Sequence, residues 1–155
     1  MVLCENLVDS LQKDHQELSD LAVSFQNALT DFDREKVRKI LGRIDNVARA
    51  HFEFEENYLY PRMLRLTRQL AEKLSTDRRA INEVIAKTEC SLRQKRLRKD
   101  RLSNLSGIST LLSRHLKDCH DVVILAAKFE EDEKNKLNQK LNECHKRKGI
   151  RNCIK

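Results

Sequence analysis

A histidine and a glutamate four residues apart, His51 and Glu55, stand in the stretch HFEFEENYLYPRM, which carries the only proline of the chain. On a helix such a pair differs by about 40° in direction and about 6 Å in height, so both side chains reach a common point. An imidazole and a carboxylate that converge inside a protein suit zinc, iron or manganese. The same spacing is also that of an ordinary surface pair, so by itself it makes no site. Two further histidines strengthen the case. His15, His51 and His115 each fall on the apolar stripe of a helical segment, and they are three of only five histidines in the chain. Any one of them reads as a hydrogen-bonded core residue. Three neutral imidazoles buried together without a ligand are hard to satisfy, and jointly they point to metal binding.

The segments that must position these residues read as helices. From Glu5 to Leu29 the apolar positions Leu7, Leu11, Leu18, Ala22, Phe25 and Leu29 recur at helical spacing, and His15 fills the step between Leu11 and Leu18. A second helix is expected from Asp33 to Tyr60, with Val37, Ile40, Ile44, Val47, His51, Glu55 and Tyr58 inward, and Pro61 stops or kinks it. A short helical piece from Met63 to Leu74 leads to Ser75-Thr76-Asp77, a helix-start signal for a third helix through Ile81, Val84, Ile85, Thr88 and Leu92. The loop from Asn104 to Gly107 precedes a fourth, with Ile108, Leu111, Leu112, His115, Cys119, Val122, Ala126 and Phe129 inward. The charged remainder reads as continuing helix that frays. The expected fold is all-α, an antiparallel up-down four-helix bundle over residues 1–135, with a charged C-terminal helical extension or tail over 136–155.

Composition agrees with this. Three glycines and one proline leave little vocabulary for tight hairpins. The 155 residues suit one domain. The formal charge of +7 comes from 31 basic and 24 acidic residues that mostly interleave, as on solvated helix faces. The exception is RQKRLRKDR from Arg93 to Arg101, six of whose nine residues are basic, but no aromatic accompanies it for stacking on a nucleic acid. The five cysteines form no C-x-x-C pair, no signal segment is recognised and no apolar run approaches a membrane span, so a cytoplasmic protein with reduced thiols and no membrane partner is expected. His145, near Cys144 and Cys153, is a weaker candidate for a Cys/His zinc cluster in the tail.

DHQEL at Asp14 to Leu18, HFEFEENYLYP at His51 to Pro61 and RHLKDCH at Arg114 to His120 resemble the three helix motifs of the hemerythrin-like, HHE cation-binding proteins, over about residues 5 to 130. The resemblance implies a non-haem di-iron centre of five histidines and two bridging carboxylates. The functions it implies are oxygen binding, oxygen or nitric oxide sensing, iron handling, or repair of iron–sulfur centres. It also gives the aromatics of the second motif a role, closing a metal pocket, while the proline ends the helix that supplies two ligands. Carried over by position, His15, His51, Glu55 and His115 match.

Two departures stand out. Where the family has a third-helix histidine, this chain has Arg78 or Arg79, and the third helix carries no histidine at all. On the fourth helix the family expects a carboxylate four or five residues after the histidine, and Cys119 and His120 stand there, with Asp118 as a substitute three residues on. Cys119 lies on the apolar stripe, as a thiolate ligand or as a small hydrophobe. The candidate metal ligands are therefore His15, His51, Glu55, His115, Asp118, Cys119 and His120, for one or two iron ions, with zinc or manganese as alternatives. Either one metal remains with a position open to a diatomic gas, or a third-helix arginine pairs with Glu55 in a metal-free relic. The leading expectation is an iron-binding protein of oxygen, nitric oxide or redox response. The rival is a metal-free bundle that presents the basic run to nucleic acid or an acidic protein.

Overall fold

The computed structural model describes residues 5–63, 68–94 and 104–153. Among them the chain is all-helical: α1 Leu7–Thr30, α2 Arg34–Phe54, α3 Arg68–Leu92, α4 Gly107–Ala126 and α5 Glu131–Cys153. Among the described residues no helix is long and apolar enough to cross a membrane. Most of the Arg93–Arg101 run, and Cys4, lie outside the described residues.

Polar side chains set the helix starts. Asn6 accepts the Asp9 amide at the start of α1, and Asp33 accepts the Lys36 amide at the start of α2. Between them Phe32 takes the left-handed region at φ 55°, and the Asp33 amide reaches back to the Ala28 carbonyl, which closes the end of α1 in one tight turn. The last carbonyls around the end of α3 are met from α2, where Arg38 donates to Leu92 O at 2.9 Å and Arg34 to Leu92 O and Gln94 O.

α1 packs on α2 and α4, α3 on α4 and α2, and α5 mainly on α2 with a narrower contact to α1. The inward stripes form two apolar clusters. One gathers Phe25, Leu41, Ile44, Ile81, Ile85 and Leu112; the other gathers Leu11, Phe54, Leu59, Cys119, Leu137 and Leu141. The polar residues that matter lie where Phe52 of the first cluster and Cys119 of the second both meet His115.

Four expectations about the elements are corrected. The α-helical geometry of α2 ends at Phe54 and not at Tyr60: Glu55–Leu59 widens into a π-turn and Tyr60–Arg62 tightens into a 3₁₀ turn. Pro61 has no amide to continue the α ladder, so the change of winding just before it is where such a break belongs. Ser75-Thr76-Asp77 does not start a helix, for α3 runs through it from Arg68. There the Thr76 hydroxyl donates back to the Glu72 carbonyl, and Asp77 accepts from Arg114, so neither is left to cap a terminus. On α1 the residue that completes the buried stripe is Asp14, 4 % exposed, with His15 beside it and partly exposed. The spacing 7, 11, 14, 18 closes the stripe better than 7, 11, 15, 18, because it alternates steps of four and three. Finally, α4 does not run on into the tail. It ends at Ala126, and a separate α5 buries Leu137, Leu141 and Cys144 in the second cluster.

Candidate metal centre

Glu55 is the point where three helices converge. It is 2 % exposed, at the start of the π-turn. Its Oε1 lies 2.9 Å from His51 Nε2, and the Cys119 thiol donates to the same oxygen at 3.6 Å. Its Oε2 accepts the Tyr60 hydroxyl at 2.8 Å and lies 3.8 Å from His115 Nε2. The π-turn explains the tyrosine. Residues five apart on an α-helix point about 140° away from each other, whereas i to i+5 winding stacks them. Tyr60 N–H bonds to the Glu55 carbonyl, and the Tyr60 hydroxyl reaches back to donate to the Glu55 carboxylate.

From α1, His15 brings its Nε2 to 3.0 Å from His51 Nε2, with the rings edge to face. From α4, His115 Nε2 lies 3.2 Å from Cys119 Sγ, one turn further along the same helix, and its ring packs T-shaped against Phe52. One donor atom each from His15, Glu55 and Cys119 falls within 4.8 Å of the others, the one such group of histidine, cysteine and carboxylate side chains among the described residues.

Electrostatics follow from burial and proximity. Burial works against a charged His51, but the Glu55 carboxylate and the hydrogen bonds to Asp14 and Glu55 outweigh it and raise its pKa to about 10. His15 is held down to about 3 by burial and by the neighbouring His51 charge. Burial pushes Glu55 up, yet His51 and the hydrogen bonds from His115 and His51 hold it well below the usual carboxylate range. Asp14 likewise overcomes burial through hydrogen bonds from His145 and His51, down to about 2. The Cys119 thiol and the Tyr60 phenol are both pushed up, first by burial and then by the Glu55 charge. Two carboxylates, Asp14 and Glu55, therefore flank the His51 imidazolium.

These residues fit a cation. His15 and His51 aim their nitrogens at the same space as a carboxylate oxygen and a thiol. His115 Nε2 faces the same carboxylate and thiol, 3.8 Å from Glu55 Oε2 and 3.2 Å from Cys119 Sγ, while its Nδ1 is buried without a hydrogen-bond partner. The mixture of nitrogen, oxygen and sulfur donors suits iron or zinc better than magnesium or calcium.

The other predicted residues are placed elsewhere. Asp118 turns to Lys73 of α3, with which it pairs at 3.0 Å. His120 is exposed and lines a groove between α1 and α4 that His15 also lines. Arg78 is buried and pairs with Glu56, the neighbour of Glu55, so the guanidinium stands beside the centre without a hydrogen bond to Glu55. Arg79 is exposed. Cys144 is buried with its sulfur accepting from Arg147, and the Cys153 side chain lies outside the described residues.

Three residues around the centre escaped the sequence reading of ligands. Asp14 carries the stripe spacing described above; Tyr60 is legible only once the π-turn is known. His145 follows Cys144 in the series Leu137, Leu141, Cys144, whose steps of four and three mark a buried face, and it donates to Asp14 at 3.0 Å.

Compared with known protein families, the chain matches the Hemerythrin HHE cation binding domain over residues 6–124, a span that stops before α5. No curated protein and no solved structure matches it significantly.

Proposed function

As the chain belongs to the hemerythrin HHE cation-binding family, we propose that it binds one iron ion per chain through His15, His51, Glu55, His115 and Cys119, with α1 to α4 arranged as the family's antiparallel bundle. The observation that carries this reading is the convergence of His15, Glu55 and Cys119 donor atoms within 4.8 Å from three helices. A single ion is the better count because α3 offers this space an arginine in place of a ligand, and Asp118 is drawn off to Lys73. A second dication beside Arg78 would be repelled in a poorly screened interior.

The chain's own groups have separable tasks. Glu55 supplies the charge that holds a cation in the core. Asp14 accepts the His51 Nδ1 proton at 3.1 Å, which leaves Nε2 to face the centre. Phe52, buried and in ring contact with both His51 and His115, keeps water from the inner side. Tyr60 donates to Glu55 and fixes which way its carboxylate turns. When bound, iron supplies a redox-active Lewis acid with room for a diatomic ligand, and we assign the protein to oxygen, nitric oxide or redox response on that basis. A cytoplasmic setting, where Cys119 stays reduced, belongs to the same proposal.

The test is elemental analysis of protein prepared with iron and kept from oxygen, for the wild type and for His51→Ala. About one iron per chain in the wild type, lost in the variant, is the expected result. No metal in either protein, and no thermal stabilisation on adding iron or zinc, would sink the proposal.

A further inference from the structure

α5 lies beyond the span that matches the family, yet it reaches the outer side of the candidate centre. The contact is made by His145, whose Nε2 lies 3.0 Å from Asp14 Oδ2. That same oxygen lies 3.1 Å from His51 Nδ1. One carboxylate oxygen on α1 thus joins a ring on α5 to a ring at the centre.

Packing fixes the position of His145. Leu137, Leu141 and Cys144, on the same face of α5, are fully buried. On either side of His145 the helix is tied down further, by Asn138 Nδ2 donating to Glu5 O at 2.7 Å and by Arg147 pairing with Glu53 of α2 at 3.0 Å. A carboxylate that is 4 % exposed needs its acceptor sites filled, and Asp14 has two histidine donors on one oxygen. Without His145 it would have one donor fewer and more freedom to turn, and the hold on His51 would loosen.

We propose that α5 is a built-in outer wall of the metal centre, with His145 as a positioning residue that holds Asp14 and, through it, the orientation of His51. The inference rests on the metal-binding reading above. Seating of α5 and occupancy of the centre are then coupled, and linkage makes the coupling mutual: whatever factor α5 adds to metal affinity, the metal adds to the docking of α5.

The experiment uses the full chain with ferrous iron in the absence of oxygen, and with zinc as a redox-silent probe, each competed against a chelator. Wild type, His145→Leu and His145→Gln are compared, with circular dichroism to show that each remains helical. Outer partners of ligating histidines typically contribute about 10- to 100-fold in affinity. His145→Leu, which cannot donate, is expected to weaken binding by about that factor, and His145→Gln, which can donate to Asp14, to recover most of it. In the wild type alone, metal should slow amide exchange across residues 131–147. Equal affinity in wild type and His145→Leu, or exchange in α5 that ignores the metal, overturns this inference while leaving the metal centre standing. A wild type that binds neither metal overturns both.

Discussion

His15 Nε2 and His51 Nε2 face each other at 3.0 Å across two helices. Two imidazoles so placed cannot both be charged, and they divide the work: His51, between two carboxylates, keeps its proton to a pKa of about 10, while His15 refuses one down to about 3. This division has a consequence for the metal-free protein. Above pH 6.5 the unfolded chain has both rings neutral, whereas the folded chain still holds the His51 proton, so stability falls as pH rises towards 10. Below pH 6.5 the unfolded chain charges both rings while the folded chain keeps His15 neutral, so stability falls as pH drops, and Asp14 adds to the loss between its ordinary value of 3.8 and about 2. We expect a stability maximum near pH 6.5, with slopes of about 1.4 kcal/mol per pH unit for one net proton on either side. Urea midpoints of metal-stripped protein across pH check it. His15→Ala should flatten the limb just below the maximum, and stability that climbs steadily to pH 9 would contradict the assignment.

Metal binding should release protons. His51 is charged at neutral pH and must give up its Nε2 proton to act as a ligand; the Cys119 thiol, pushed up by burial and by Glu55, must do the same. Calorimetric titration in buffers of different ionisation enthalpy at pH 7 is expected to give about two protons released per metal in the wild type and about one in Cys119→Ser. The same count in both proteins would return Cys119 to the role of a small buried hydrophobe.

Leu141 tests whether α5 is core or appendage. Its side chain is fully buried against the second cluster. Leu141→Ala should therefore cost about 2–5 kcal/mol of unfolding free energy, as at other buried leucines. A loss of only about 0.5 kcal/mol, typical of exposed sites, would mean that α5 is not seated as described.

The inward stripes were legible because a core-facing helix repeats at steps of three and four, and Phe25, Ile44, Ile81 and Leu112 fall on that period and are buried. His51, Glu55 and His115 were legible for the same reason: each stands where an aliphatic residue belongs. Less legible was anything decided across helices. Asp118 and Cys119 are adjacent, and only the position of Lys73 on α3 shows why the carboxylate turns away. The π-turn that brings the Tyr60 hydroxyl to Glu55 leaves no periodic mark, since it lasts a single turn. α5 was hidden by its charge, because three buried positions among so many lysines and glutamates read as tail until Leu137, Leu141 and Cys144 are counted together.

The most direct measurement is an equilibrium titration of metal-free wild type and Glu55→Gln with ferrous iron in the absence of oxygen. Glu55 is within 4 Å of His51, His115, Cys119 and Tyr60, and replacing its carboxylate by an amide removes the charge while keeping the shape. We expect saturation at about one iron per chain in the wild type and binding weakened by at least about 100-fold in the variant, more than an outer partner of a ligand contributes. No uptake by the wild type, or equal uptake by both proteins, would contradict a metal centre built around Glu55.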